Sequence, residues 1–169
     1  WYKTFVGDGF TCAINSQNDN ICYTEYSYGA IYRSGNRGVS WSVIGPPGSG
    51  NASNYCFAAP FISTRANPNI LYVGGTNLYK STTGSGSWFS VGILGAKALS
   101  MDASATSSDT VYIGTIPVIN SQDAKIYKLT GNTLTDVSNG QIPNRYPTDI
   151  HVNPNNSMVA YATFGGFGT

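Results

Sequence analysis

The chain of 169 residues has a formal net charge of +1 and only 10% charged side chains, a composition unlike that of helical bundles, coiled coils or disordered polar segments. Its 9 basic and 8 acidic residues form no cluster of either sign, so we expect no nucleic-acid partner. No apolar run reaches the roughly 20 residues of a membrane span. One domain of strands and turns is expected, with no membrane span.

The two ends of the sequence suggest a piece of a longer chain. The sequence begins with WYKTFV, which has neither an initiator Met nor the apolar segment of a signal peptide, and it closes with the strand-like stretch YATFGGFGT. We interpret residues 1–169 as a single domain that is a fragment of a longer chain. Residues 1–8 would supply the last strand of a preceding unit.

The first predicted hairpin contains two cysteines. Cys12 and Cys22 flank a turn at residues 16–20 and would face each other in a hairpin symmetric about Gln17. A disulfide between them and a pair of small buried residues on adjacent strands are equally compatible with this spacing. Cys56 has no evident partner. With one His and no CxxC pair in the sequence, we expect no metal site and no cofactor.

A pair of strands recurs along the chain. Each copy has an apolar-Tyr strand, a turn of small residues and, in the first three copies, a second strand of the form apolar-Tyr-basic. The copies are ICYTEYSYGAIYRS (21–34), ILYVGGTNLYKS (70–81), TVYIGTIPVINSQDAKIYKL (110–129) and the shorter MVAYATFGGFGT (158–169). Tyr32, Tyr79 and Tyr127 are 47 and 48 residues apart, a period typical of propeller blades.

The repeat predicts an all-β fold, a partial β-propeller of about three and a half four-stranded antiparallel blades. No segment has a sustained helical period, and Gly, Pro and Asn interrupt every stretch of about ten residues. The predicted blades are residues 9–46, 55–93, 96–138 and a partial blade at 146–169. Turns such as Asn67-Pro68-Asn69 and Asn153-Pro154-Asn155 precede the Tyr strands in the same phase.

A second motif follows the third strand of the first two repeats. The run Ser34-Gly35-Asn36-Arg37-Gly38-Val39-Ser40-Trp41 returns as Ser81-Thr82-Thr83-Gly84-Ser85-Gly86-Ser87-Trp88. It resembles the Asp-box, or BNR, repeat of sialidases, sortilin-type propellers and xyloglucan-hydrolase propellers, and the whole chain is similar to secreted propeller proteins of the Bacteroidota. The resemblance implies a secreted or cell-surface protein.

The resemblance also has departures. Asn36 and Thr83 stand where the box has Asp, Ser85 replaces the Gly found at Gly38, and the third copy lacks the Trp. Tight-turn hydrogen bonds and packing of Trp between sheets explain the motif better than chemistry does. We therefore assign a structural role, and no catalytic one, to the box residues, which are Ser34, Asn36, Gly38, Trp41, Ser81 and Trp88.

Two carboxylates are candidates for catalysis. Glycoside hydrolysis needs a pair of carboxylates about 5 to 10 Å apart, and Asp102 and Asp149 lie in predicted innermost strands. They stand five and four residues before their turns, so they are not equivalent positions and could point to opposite faces. A turn or channel-lining role explains them better than catalysis does, and His151 is interpreted as a surface or hydrogen-bonded residue of an alternating strand and not as a general base.

Aromatic residues favour binding over catalysis. Tyr26, Tyr28 and Tyr55 are candidates for stacking on neutral carbohydrate or for contacting a protein at the cell surface, although blade-to-blade packing also requires Tyr on alternate strand positions. Glu25, the only glutamate, either hydrogen-bonds a sugar hydroxyl or lies solvated on its strand.

The predicted function is therefore a non-catalytic extracellular binding or scaffold propeller. The alternative is part of a xyloglucanase-like or sialidase-like glycoside hydrolase that uses Asp102 and Asp149. The last blade lacks a strand in phase with AIYRS, NLYKS and KIYKL. Its open edge predicts a further blade or another subunit as partner, unless four blades close into a ring.

Overall fold

The computed structural model describes residues 5–118 and 123–166, and all regular structure in this part of the chain is β. Three four-stranded sheets and one two-stranded sheet follow one another, and we call them blades 1 to 4. Blade 1 contains β1 (Cys12–Ile14), β2 (Cys22–Glu25), β3 (Ile31–Ser34) and β4 (Ser42–Val43). Blade 2 contains β5 (Phe61–Ser63), β6 (Leu71–Gly74), β7 (Asn77–Ser81) and β8 (Trp88–Ile93).

The other two blades differ from each other in strand number. Blade 3 contains β9 (Ala98–Ala103), β10 (Thr110–Thr115), β11 (Lys125–Thr130) and β12 (Thr133–Asp136). Blade 4 contains β13 (Tyr146–Val152) and β14 (Ala160–Gly165). Every pairing is antiparallel and joins strands that are consecutive along the chain, as in a meander. The predicted strand at residues 1–8 lies partly outside the described residues, and residues 5–8 form no strand.

Because the strands run alternately up and down, the connections separate onto two faces of the array. The loop face carries the links between second and third strands and between blades, including residues 26–30, 44–60 and 137–145. The turn face carries the remaining links, including the box at 35–41 and the turns at 64–70 and 153–159. Backbone hydrogen bonds within each face, such as Tyr28 N to Phe57 O at 2.9 Å, link neighbouring connections.

Asn side chains form the turns that the sequence predicts on the turn face. The side-chain oxygens of Asn18, Asn67 and Asn153 each accept a hydrogen bond from the backbone N–H two residues later, at 2.9 to 3.1 Å. A short polar side chain in this position replaces a backbone acceptor and fixes the turn. Asn153 stands where Asn15 does in blade 1, since Asn153 N pairs with Val159 O and Asn15 N with Ile21 O. The counterpart of Asn18 and Asn67 in blade 4 is therefore Asn156, whose side chain accepts from Met158 N at 3.0 Å.

The core lies between blades and not within one of them. The second strands β6 and β10 are buried along their whole length, because each is covered by a blade on both sides. One cluster joins Tyr72 and Leu78 of blade 2 to Val111, Ile113 and Leu129 of blade 3. Burial of such side chains provides the main stabilisation of the array, about 1.5 to 3 kcal/mol for each large residue.

A tyrosine on each second strand fastens its blade to the next one. Tyr23 OH donates to Gly84 O at 3.1 Å, Tyr72 OH to Ser108 O at 2.9 Å, and Tyr112 OH to Ser157 O at 3.1 Å. Each phenol thus crosses to a turn of the following blade. We call these three contacts the tyrosine latches.

The register of the first hairpin contradicts the predicted alignment of the cysteines. Cys12 pairs with Thr24 and Cys22 with Ile14, so the hairpin is symmetric about Asn18 and not Gln17. Two successive turns, closed by Asn18 N to Asn15 O at 3.1 Å and by Ile21 N to Asn18 O at 3.0 Å, make the connection symmetric about Asn18. Cys12, Cys22 and Cys56 are free thiols.

Candidate functional site

An exposed group of aromatic rings lies at the loop-face end of blade 1. Phe57, from the connection to blade 2, packs edge-on against Phe10 with centroids 4.9 Å apart and against Tyr28 at 5.1 Å. Tyr26 lies on the same β2–β3 connection, beside Gly7. Phe10, Tyr26 and Phe57 all present large parts of their rings to solvent. We call these four residues the aromatic patch.

Backbone geometry holds the patch in place. Tyr28 and Gly29 both have positive φ, 52° and 72°, so the β2–β3 connection turns sharply at the patch. Positive φ is strained for a tyrosine and persists only where surrounding contacts impose it. Here the Tyr28 N–H donates to Phe57 O at 2.9 Å, which joins the two connections.

Tyr55, the third predicted binding residue, supports the patch from below. It is 1% exposed, donates its hydroxyl to Pro47 O at 2.9 Å and lies against Gly29, where a Cβ would come within 2.8 Å of the ring. Burial raises the pKa of its phenol. A buried ring has no face for a ligand, so the prediction of a binding contact for Tyr55 is wrong, while Tyr26 and Tyr28 remain candidates.

Glu25 lies beneath the same connection and is 0% exposed, so the interpretation of a solvated strand position is wrong. Its Oε1 accepts hydrogen bonds from Ala59 N at 2.8 Å and Gly29 N at 3.2 Å, and its Oε2 is buried without a hydrogen-bond partner. Burial raises the pKa of the carboxyl to about 7, against the effect of these two bonds. Glu25 therefore connects two loops that carry the patch and does not reach a ligand.

Phe10 and the burial of Glu25 were not predicted. Glu25 stands two residues after Tyr23, and alternate strand positions share a face, so the latch tyrosine marks the buried side of β2. Alternation along this strand could have found the buried glutamate. Phe10 precedes its strand in a Gly-rich segment, where no periodic signal exists.

The two candidate catalytic carboxylates come together around one imidazole. His151 Nδ1 lies 3.6 Å from Asp102 Oδ2, and His151 Nε2 lies 3.4 Å from Asp149 Oδ2. Since both oxygens approach the same ring, they are no more than about 9 Å apart, within the range of carboxylate pairs in glycoside hydrolases. Asn153 N pairs with Val159 O as Ser104 N pairs with Thr110 O, so Asn153 corresponds to Ser104 and not to Ser107, from which the sequence-based count started.

Asp102 also has a structural role. Its Oδ1 accepts a hydrogen bond from Ala103 N at 2.9 Å and its Oδ2 one from Val152 N at 2.8 Å, so it ties blade 3 to blade 4. It lines a cavity of about 210 Å³ between the innermost strands, together with Cys12 and Arg65. His151 and Asp149 are exposed at the rim.

A larger cavity, of about 440 Å³, lies on the loop face between blades 3 and 4. Its polar lining is already paired: Lys125 Nζ contacts Asp136 Oδ2 at 2.9 Å, and Asn144 Nδ2 donates to Asp123 Oδ1 at 2.6 Å. Against the effect of burial, hydrogen bonds from Ser138 and then the contact with Lys125 lower the pKa of Asp136, and the hydrogen bond to Asp136 raises the pKa of Lys125. The residues that line this cavity therefore indicate no particular class of ligand.

The box residues form the hydrogen-bonded turns expected of a structural motif. Ser34 Oγ accepts from Gly38 N at 2.8 Å, and Asn36 Oδ1 accepts from Ser40 N at 2.9 Å. In the second copy Ser81 Oγ donates instead to Ser85 O at 2.9 Å.

The box tryptophans lie at the ends of the corresponding hairpins. Trp88 is half-buried and donates its indole N–H to Ile44 O of blade 1. Trp41, also half-buried, packs against Phe5 with centroids 5.5 Å apart. Phe5 thus contacts the box tryptophan of blade 1, as Ile44 contacts the box tryptophan of blade 2.

Within residues 5–118 and 123–166, no three His, Cys, Asp or Glu side chains come together as metal ligands. The same residues include no helix that is long and apolar enough to cross a membrane.

No protein-family model and no curated protein matches this chain. Solved structures do match. The GH74 xyloglucanase from Xanthomonas campestris superposes with a TM-score of 0.67 at 12% identity, over 91% of this chain and 26% of that one. An ancestral GH74 enzyme gives 0.63 at 19% identity, over 86% and 22%. The GH74 enzyme from Niastella koreensis gives 0.60 at 22% identity, over 88% and 25%.

The chain has a β-propeller fold. The serial four-stranded meanders and this likeness agree, which confirms the prediction of an all-β partial propeller. The chain spans about a quarter of the length of these structures. At such identities the likeness concerns the fold alone.

Proposed function

We propose that this chain is an Asp-box-type propeller segment of a secreted or cell-surface protein, and that its aromatic patch binds neutral carbohydrate without catalysis. The observation that carries the proposal is the pair of exposed rings Phe10 and Phe57, which pack against each other and, through Phe57, against half-buried Tyr28. The exposed Tyr26 lies on the same connection as Tyr28. Clustered exposed aromatics on a soluble domain are characteristic of binding surfaces. Rings of this kind stack on the apolar faces of sugars.

The charge around the patch supports a neutral ligand. Glu25, the carboxylate beneath the patch, is fully buried and bonded to backbone N–H groups, so it presents no charge to a ligand there. Asp8, two residues before Phe10, is the exposed carboxylate nearest to the patch in sequence. The loops beneath it are fixed by these bonds and by Tyr55, which reduces the ordering cost of binding. A polar-aromatic protein surface is the alternative ligand at the same patch.

Titration with xyloglucan and β-glucan oligosaccharides, followed by calorimetry, tests the proposal. Phe57→Ala removes the central ring and should weaken binding about tenfold or more, equivalent to about 1.4 kcal/mol. Phe89→Ala is the matched control, because Phe89 is a similarly exposed phenylalanine on blade 2. Equal affinity of the two variants would contradict a role of the patch.

A glycoside hydrolase is the second candidate, supported by the approach of Asp102 and Asp149 to His151. The likeness to GH74 enzymes also supports a carbohydrate-related role. Turnover of xyloglucan or sialoside substrates that Asp149→Asn abolishes would favour the enzyme. Asp149 is the better test, since Asp102→Asn also weakens the contact to Val152.

A further inference from the structure

The carboxyl group of Glu25 links two connections of the loop face. Glu25 ends β2, and its Oε1 accepts hydrogen bonds from Gly29 N in the β2–β3 connection and from Ala59 N in the connection between blades 1 and 2. One oxygen atom therefore holds the β2–β3 connection against the segment that follows blade 1. We call this arrangement the Glu25 clasp.

The connection held by the clasp is strained. Tyr28 has a φ of 52°, a value that costs free energy for a residue with a side chain, and Gly29 follows with 72°. Two backbone hydrogen bonds keep the turn in place: Tyr28 N donates to Phe57 O at 2.9 Å, and Gly50 N donates to Tyr28 O at 2.8 Å. The conformation of this turn therefore depends on these contacts and on the clasp.

The second carboxyl oxygen decides how the clasp responds to ionisation. Oε2 of Glu25 is buried and has no hydrogen-bond partner among the described residues. A protonated carboxyl tolerates this position, whereas a negative charge shared by both oxygens needs donors or water at each of them. Burial accordingly raises the pKa of the carboxyl to about 7. Because Glu25 is fully buried, water reaches Oε2 only when one of the covering segments moves.

Other ionisable groups surround the clasp. The Cys56 thiol interacts with the carboxyl, and burial raises the pKa of this thiol against the effect of Lys97, which lies between blades 2 and 3. Burial also raises the pKa of the Tyr55 phenol. The remaining titratable side chains on the segments packed around the clasp are exposed or half-buried, and they are Asp8, Tyr26, Tyr28 and Tyr79. Thiols and phenols ionise above about pH 8, so the charge that develops inside the clasp between pH 5 and 8 is that of Glu25.

We propose that ionisation of Glu25 opens the clasp, so that the β2–β3 connection separates from the connection between blades 1 and 2 and the aromatic patch loses its fixed arrangement above neutral pH. Movement of either connection brings water to Oε2, and the release of Tyr28 from its positive φ favours the same movement. The Tyr28 and Phe57 rings lie on the two connections, so opening separates two members of the patch. The opening is a property of the loops and does not depend on which ligand the patch binds.

Native-state amide hydrogen exchange, followed by NMR at pH 5.5 and pH 8 and corrected for intrinsic exchange rates, tests the proposal. The reporting amides are Gly29 N–H, which donates to Glu25, and Tyr28 N–H, which donates to Phe57. With a carboxyl pKa of about 4.5 in the open state and about 7 in the closed state, the open population should rise about 10- to 30-fold between these pH values. The protection factors of both amides should fall by the same factor.

Low concentrations of urea separate opening of the clasp from unfolding of the whole chain. Exchange through a local opening is almost independent of urea, whereas exchange through global unfolding accelerates steeply with it. Ile113, in the core between blades 2 and 3, is the reference for global unfolding. At pH 8 we expect the Tyr28 and Gly29 amides to exchange faster than the Ile113 amide and without its dependence on urea.

Titration of the carboxyl itself links the exchange to Glu25. Glu25 is the only glutamate in the sequence, so labelling with isotopic glutamate gives one side-chain carboxyl signal. The fall in protection should level off at the pH where this signal titrates in the wild-type protein. In Glu25→Gln, which cannot ionise, protection of both amides should be equal at pH 5.5 and 8. Asp8→Asn, which removes an exposed carboxylate, is the matched control and should behave as wild type.

Three outcomes would overturn the proposal. They are unchanged protection of the Tyr28 and Gly29 amides between pH 5.5 and 8, an equal change in Glu25→Gln, and the same dependence on urea for these amides as for Ile113. The last result would mean that the carboxyl meets water only when the whole chain unfolds. The wild-type titration decides the question even where the variant does not fold, and none of the measurements depends on binding of carbohydrate.

Discussion

Replacing Glu25 with Gln should change how the stability of the protein depends on pH. The carboxyl group is fully buried, and its pKa is raised by burial from 4.5 to about 7. Folding thus favours the protonated form. The stabilisation is fully present below about pH 4.5 and is lost as the pH rises through about 7, because the unfolded state releases its proton first.

The expected magnitude follows from the shift. One pKa unit corresponds to about 1.4 kcal/mol, so the rise from 4.5 to about 7 predicts a loss of about 3 kcal/mol in the free energy of unfolding across this range. Glu25→Gln keeps an oxygen for the N–H groups of Gly29 and Ala59 but cannot ionise. Its amide N–H groups stand where Oε2 has no hydrogen-bond partner, so the variant should be less stable at pH 4.5 by about 1 to 3 kcal/mol.

Urea unfolding followed by tryptophan fluorescence at intervals from pH 4.5 to 8 measures this effect. The free energies of wild type and Glu25→Gln should converge as the pH rises, and other titrating groups cancel in the difference. Asp8→Asn, which removes an exposed carboxylate, is the control and should show the same change in unfolding free energy between pH 4.5 and 7 as wild type. A constant difference between wild type and Glu25→Gln across this range would refute the reasoning.

Three further predictions concern stability and can be checked by thermal or urea unfolding. Tyr112→Phe removes a latch and should cost about 1 kcal/mol, whereas Tyr161→Phe, at the exposed equivalent position, should cost almost nothing. Ser34→Ala should cost about 1 to 3 kcal/mol, because the buried Gly38 N–H loses its acceptor. Ile113→Ala should cost about 2 to 5 kcal/mol in the blade 2–blade 3 core, in contrast to the exposed control Ile93→Ala.

The strands and turns that occur in several blades could be predicted, because the same residue pattern returns along the sequence at each of them. Apolar residues on both sides of Tyr72 and Tyr112 predict strands buried on both faces, and blades on each side provide this cover. The return of Ser34 at Ser81 predicts equivalent hairpins, although their hydrogen bonds differ in detail. Repetition thus predicts strands and turns but not every contact within them.

Features that occur once were predicted less well. The first hairpin is displaced by one residue because two successive turns meet at Asn18, which the spacing of the cysteines does not reveal. Glu25 finds a partner at Ala59, 34 residues away in a connection with no counterpart of the same length. The approach of Asp102 to His151 depends on the packing of blade 3 against blade 4, which a count along the chain does not reveal.

The two faces of the propeller segment carry different kinds of interaction. On the turn face, the Asn turns and the box bond side chains to backbone within a blade, and the tyrosine latches bond side chains to backbone between blades. On the loop face the connections differ in length, and the aromatic patch occurs on blade 1 alone among the described residues. Since variable loops on a rigid scaffold are where binding surfaces arise, the loop face is the place to test for ligand. Asp102, which bonds to Val152 N, belongs to the contacts that join blades, so its substitution tests stability together with any chemistry.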